Sequence, residues 1–317
     1  MTAVEVGLRV PHRVFGSGVE VLARFVDAAE EAGLDRLWVG DHVSFKGGQG
    51  YDGLLQVMAL AALSRRVTLQ TAVYLLPLRH PLPVARQVAS IAELAPGRMV
   101  LGVGVGGDDR AEFINSGVDP ATRGGRMDES LDLVRRLLAG DVVDHHGEHF
   151  TLEGASIRPS PDPAVPIIVG GRSPAALRRA GRLGDGWLGI WVTPERFARS
   201  TAGVAEAAAE AGRGGVPVHH GLLAWCAFGP SPEAVRPALA SAMEALYQMP
   251  FDRFARTSPH GTPDEVASAL APYVTAGATS FMLSAVGDDV EAIVAGAARV
   301  RDLLRASGSG SAIRTVR

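Results

Sequence analysis

Two polar residues, Asp41 and His42, stand directly after a short apolar run, Arg36-Leu37-Trp38-Val39. Three consecutive apolar side chains predict a strand covered on both faces. A polar pair just past the carboxyl end of such a strand lies where α/β architectures bind ligands. A carboxylate beside an imidazole in that position can move protons near neutral pH. The plain alternative is that Asp41 caps the following turn and His42 is an ordinary loop residue.

The elements around the pair decide between these readings. Helical spacing of Leu22, Phe25, Val26 and Ala29 predicts a helix over 19–32, and Gly33 closes it. Strands are predicted at 5–10, 36–39, 67–76, 98–106, 166–169, 187–191, 216–228 and 279–285. Helices are predicted between them at 54–63, 83–94, 127–138, from Pro174 to Ala180, 194–211, 232–247 and 262–276, with a last one at 289–304. Thr262-Pro263-Asp264-Glu265 reads as a capping box with proline at the first helical position. Eight strands alternating with helices predict one (β/α)8 TIM barrel with loop insertions, a single domain over 1–305. The Gly/Ser-rich end, 306–317, reads as a disordered tail.

Composition narrows the function. The chain has 317 residues, 47% hydrophobic and 21% charged, with a net charge of −3. That balance favours neither nucleic acid nor an anionic membrane as partner. One cysteine, Cys226, excludes an internal disulfide and a cysteine-rich metal site. No signal-peptide pattern and no membrane-length apolar run is read, so the expectation is a cytoplasmic protein acting on a small molecule. His145, His146 and His149 lie in a predicted hairpin, 142–152. Neighbours on a strand point to opposite faces, so no metal site is read there.

The predicted strand ends carry glycine, apolar residues and few polar groups. There is no Gly-X-Ser-X-Gly elbow and no carboxylate cluster with metal spacing. A rim poor in nucleophiles predicts that an organic cofactor does the difficult step. Gly102, Gly104 and Gly106 fall on alternate positions of the fourth strand and leave one face bare, for a flat ring or for a large neighbouring side chain. Gly170-Gly171-Arg172-Ser173-Pro174 places two glycines and two donors before a helix, which suits a phosphate or, more simply, a tight turn. The glycine-rich loop 43–53 reads as part of a substrate lid.

Taken in order, Asp41-His42, Thr71-Ala72-Val73, Pro77 to Pro81, Gly97-Arg98, Leu101 to Gly106, Glu112, Arg123 to Glu129, Gly170 to Pro174, Gly184 to Trp187 and Gly261 to Val266 resemble the luciferase-like monooxygenase superfamily. Within it they are similar to the branch using the deazaflavin coenzyme F420. The resemblance covers roughly residues 5 to 304. It implies an oxidoreductase that takes a flavin-shaped ring at the barrel rim. It implies a cis peptide between Ala72 and Val73, ring contacts from Asp41, Ala72, Val73 and Gly106, and a phosphate site at Gly170, Gly171, Arg172, Ser173, Ala175 and Ala176. It implies that His42, beside Asp41, gives or takes a proton. Deazaflavin is preferred to FMN because the luciferases carry a Glu-His-His run where this chain has Asp-His. The expected reaction is hydride transfer from the reduced coenzyme to an electron-poor C=C, C=N or C=O. An FMN-dependent monooxygenase and a non-catalytic flavin-binding protein are the alternatives. Relatives are often homodimers. One departure stands out. Sugar-phosphate dehydrogenases of this branch have a catalytic glutamate after the strand-four glycines; here Gly107 holds that place, with Asp108 and Asp109 shifted, so no sugar phosphate is expected.

Overall fold

The computed structural model describes residues 3–107, 109–214, 216 and 219–310. Strands and helices alternate in the order of a (β/α)8 barrel. Its strands are β1 (Glu5–Arg9), β2 (Arg36–Val39), β3 (Thr68–Thr71), β4 (Met99–Gly104), β5 (Ile167–Gly170), β6 (Gly186–Ile190), β7 (His219–Phe228) and β8 (Ser280–Val286). Among the described residues, packing separates two compact units, one within 1–37, 188–203 and 218–317, the other within 38–187 and 204–217.

In the first unit β1 and β7 both run parallel to β8, in registers Glu5↔Ser280 and Gly221↔Ser280. The helix Val19–Glu31 buries Leu22, Phe25, Val26 and Ala29, the stripe that its spacing predicts. The capping box forms as read: Glu265 N–H donates to Thr262 Oγ1 at 3.3 Å and Thr262 N–H to Glu265 Oε2 at 2.8 Å. The last helix runs Val290–Gly310 and so continues into the segment read as a tail; 311–317 lie outside the described residues. Helical hydrogen bonding propagates through the serines and glycines there because each added residue needs only one further bond once the helix exists.

The second unit is built on β4, buried along its whole length. It pairs in parallel with β3 through Leu69↔Met99 and with β5 through Leu101↔Ile167. The third strand is not continuous as predicted. It stops at Thr71 and resumes as Tyr74–Leu75, with Tyr74 opposite Val103. From Gln70 to Tyr74 the chain advances four positions while β4 advances three, from Val100 to Val103, so one extra residue bulges here. The predicted hairpin is present, Val143–His146 against Thr151–Ala155, and Glu129 ties it to the helix Arg123–Leu138 by accepting from His145 Nε2 at 2.8 Å, His149 N at 3.0 Å and Phe150 N at 2.9 Å. No helix among the described residues is long and apolar enough to cross a membrane.

Candidate active site

Asp41, just past the end of β2, is buried, and its side chain has no solvent-exposed surface. Its Oδ1 accepts from Gly53 N at 2.8 Å and Arg79 Nη2 at 2.9 Å. Its Oδ2 accepts from Leu75 N at 2.8 Å and Arg79 Nη1 at 2.6 Å. Four donors match the roughly four lone-pair sites of a carboxylate. One side chain thus joins the end of β2 to the resumed third strand, to the helix Gly53–Leu63 and to Arg79. Burial pushes the Asp41 carboxyl up, and the guanidinium and the two amides pull against it. Burial also works against the charge on Arg79, but Asp41, Tyr74 and Asp52 outweigh it and hold the guanidinium above its ordinary value. Arg79 lies over the Tyr74 ring at 4.2 Å and also reaches Asp52 Oδ2 at 3.0 Å.

His42 is arranged differently. Its side chain is 31% exposed, and its Nδ1 lies 3.1 Å from Glu112 Oε2. The ring stacks on Phe45 with centroids 4.1 Å apart. Glu112 is buried in the helix Arg110–Asn115 and also accepts from Val43 N at 2.7 Å and Ser44 N at 3.2 Å. Burial alone would raise its carboxyl, but the His42 ring and the two amides outweigh burial and hold it below the usual glutamate range. Asp109 caps that helix through Ala111 N at 2.9 Å and accepts from Lys46 N at 2.8 Å. The loop after β2, glycine-rich as read, is therefore fastened by two carboxylates. Gly107 has φ of 120°, a conformation open to glycine, and Asp108 lies outside the described residues.

The peptide bond between Ala72 and Val73 is cis, as the resemblance implies. Ala72 is buried and donates its N–H to Val39 O at 2.8 Å. The bare face of β4 turns out to receive its neighbour strand. A Cβ on Gly102 would lie 1.9 Å from Thr71 O, and one on Gly104 would lie 2.5 Å from Val73 Cγ2. Gly170 continues the same cradle, with Val73 Cγ1 2.8 Å from where its Cβ would be. Of the two occupants that the sequence allowed, the side chain of Val73 is the one in contact with Gly104. Gly106, at φ of 64°, packs against Leu75 and Phe113.

After β5 the chain turns through Gly171, φ 131°, whose carbonyl accepts Trp187 Nε1–H at 2.7 Å. Ser173 caps the helix Pro174–Leu183, accepting from Ala176 N at 3.2 Å. Arg172, Ser173 and Ala175 are exposed and Ala176 is buried. The turn thus brings a helix amino end, a hydroxyl and a guanidinium together on consecutive exposed residues, a donor set of the kind that suits a phosphate. Sequence reasoning named all of these positions. It missed Arg79 as the partner of Asp41 and Glu112 as the partner of His42. Those pairs span 38 and 70 residues, and no local pattern signals them.

Comparison with known proteins follows the same lines. The model of the luciferase-like monooxygenase family matches residues 7–280. An uncharacterized protein of Mycobacterium tuberculosis is 39% identical over 155 residues, 49% of this chain and 53% of that protein. The chain spans about half the length of the first curated relatives it matches. A Nocardia farcinica protein named F420-dependent glucose-6-phosphate dehydrogenase is 29% identical over 321 residues, covering 91% of this chain and 94% of that one. Among solved structures, an F420-dependent secondary alcohol dehydrogenase in complex with an F420-acetone adduct superposes with a TM-score of 0.82 at 22% identity, over 95% of this chain and 99% of that one. That likeness establishes the fold.

Proposed function

This chain belongs to the luciferase-like monooxygenase family, and we propose that within it the protein is an F420-dependent oxidoreductase, a reductase acting on an electron-poor C=C, C=N or C=O of a small organic substrate. The observation that carries the reading is a half-open imidazole, His42, gripped by a buried carboxylate and set on the same unit as a glycine-lined turn that fits a phosphate. Full-length similarity to a protein named for F420 supports the choice of coenzyme.

The residues fit such a coenzyme. Gly170, Gly171, Arg172 and Ser173, with the helix start at Ala175 and Ala176, would hold its phosphate-bearing tail; Ala72, Val73 and Gly106 would border its ring. When bound, a reduced deazaflavin supplies a hydride. The protein's share is to place the substrate and to handle a proton, which is the task of His42. Asp41 serves as a positioning group: its hydrogen bonds hold the backbone at Leu75, just after the bulge at 72–73, together with Gly53 N and the Arg79 guanidinium. The loop 43–53 walls the substrate side. Cys226 takes no part, since it is fully buried and burial pushes its thiol up.

Titrating the purified protein with oxidised F420 and with FMN, followed by fluorescence, tests the coenzyme. Tighter binding of F420 is expected, and tighter FMN binding would overturn the choice. Anaerobic mixing of reduced F420 with a panel of enones, imines and ketones should then bleach the coenzyme's absorbance for at least one class. Binding without oxidation across the panel would leave a coenzyme-binding protein and remove the reductase.

A further inference from the structure

We infer that Glu112 is the positioning residue of the proton-transfer imidazole: its carboxylate takes the Nδ1–H of His42 and so leaves Nε2 as the nitrogen that exchanges a proton. The inference rests on the proposed function only where it gives His42 proton work.

The geometry is one-sided. Both carboxylate oxygens of Glu112 are within reach of Nδ1, Oε2 at 3.1 Å and Oε1 at 3.3 Å. An ionised carboxylate can only accept, so the proton between the two groups sits on Nδ1. Glu112 holds main chain and ring together. Its Oε1 accepts from Val43 N and Ser44 N, the two residues after His42, at 2.7 and 3.2 Å. Swinging the side chain away from the ring would give up both amide hydrogen bonds to a carboxylate that is itself only 3% exposed, and stripping a buried charge of its donors is costly. Phe45, stacked at 4.1 Å and 26° to the ring, fixes the plane in which Nε2 points. Among the described residues, no hydrogen-bond partner is seen for Nε2, and the ring's exposure is what remains for a substrate to meet.

The proton balance follows. In the reductive direction a protonated Nε2 gives its proton to the substrate atom left with the electron pair after hydride addition, and the ring returns to the neutral Nδ1–H form. Glu112 stays ionised throughout and stabilises the imidazolium before the transfer. Solvent returns the proton to Nε2.

The test reads the ring directly, in protein without coenzyme or substrate. The 15N shifts of His42, assigned by their loss in His42→Gln, are recorded at a pH where the imidazole is neutral. The expected pattern is pyrrole-like Nδ1 and pyridine-like Nε2 in the native protein, and a mixture of both tautomers in Glu112→Gln. The same variant should lose about 100-fold in kcat with little change in the coenzyme KM. A native His42 protonated on Nε2, or an unchanged pattern in Glu112→Gln, overturns the assignment. Should Glu112→Gln not fold, the native spectrum decides alone. Because no coenzyme is present, a failed F420 assay leaves this result standing, and a failed tautomer assignment leaves the F420 assay standing.

Discussion

Arg79 meets Asp41 through two hydrogen bonds, 2.6 and 2.9 Å, and no part of the Asp41 side chain reaches solvent. Planar, bidentate pairing of this kind is geometrically demanding, and lysine cannot reproduce it. Removing one partner strands the other in a buried place. Asp41→Asn should therefore cost about 3 kcal/mol in urea unfolding, in the range seen for broken buried pairs. Arg79→Lys should cost less but still weaken the structure. The double variant Asp41→Asn/Arg79→Met should be more stable than the sum of its parts. Strict additivity in that cycle would show that the two side chains do not act as a pair.

The contact between Gly104 and Val73 makes a second, reversible prediction. A methyl at Gly104 would sit 2.5 Å from Val73 Cγ2. Gly104→Ala should destabilise by about 1–3 kcal/mol through overpacking. Val73→Ala should recover most of that loss, because it removes the atom that collides. Thermal melts of the single and double variants check this, and a double variant no better than Gly104→Ala alone would mean that the strain lies elsewhere.

These two contacts also mark where the sequence stops being readable. Leu37-Trp38-Val39 announces β2 and its polar end because a buried strand needs only local apolar residues. The capping box at Thr262 is equally local. The alternate glycines of β4 were visible too, but their purpose was not: whether a ring or a side chain fills the space depends on a bulge in a neighbouring strand some thirty residues earlier in the chain. The helix Arg123–Leu138 begins four residues before its predicted start, since Gly124 and Gly125 argue against a helix on propensity alone and tertiary packing overrides them. Glu112 follows the same rule. It is one acid in a short helical turn, and only the folded chain brings it to His42.

Glu112 makes stability depend on pH with a definite sign. Its carboxyl is held below the ordinary glutamate range by the His42 ring and by two backbone amides, against the effect of burial. The folded protein therefore binds a proton there less readily than the unfolded chain. The stabilisation is complete above the unfolded glutamate value, about 4.3, and is lost as pH falls through the depressed folded value. Native protein should exceed Glu112→Gln in unfolding free energy at neutral pH, and the gap should close on acidification below the unfolded value. A gap that widens towards low pH would reverse the sign and refute the linkage.

His42→Ala separates chemistry from binding. Proton transfer by a placed side chain contributes roughly 100- to 10,000-fold, so turnover of any accepted substrate should fall by that order. Phosphate-site residues are untouched, so the coenzyme Kd should stay within a few-fold. Full turnover in His42→Ala would take the proton role away from this residue.

Arg172 offers the last separation, because it stands exposed directly after the left-handed Gly171 and one residue before the cap Ser173. A charged hydrogen bond to phosphate contributes on the order of 1.5–3 kcal/mol, so Arg172→Met should weaken binding of intact F420 by roughly 10-fold or more. A deazaflavin ring lacking the phosphate tail should bind native protein and variant alike, and the salt dependence of binding should shrink in the variant. Ser173→Ala removes the cap of Pro174–Leu183, at about 1 kcal/mol of stability, and with it a hydroxyl of the proposed phosphate site, so it too should weaken the tailed ligand and spare the tail-free ring. Equal losses for the tailed and tail-free ligands in Arg172→Met would place that side chain on the ring rather than on the phosphate, and with it the orientation of the coenzyme along β5.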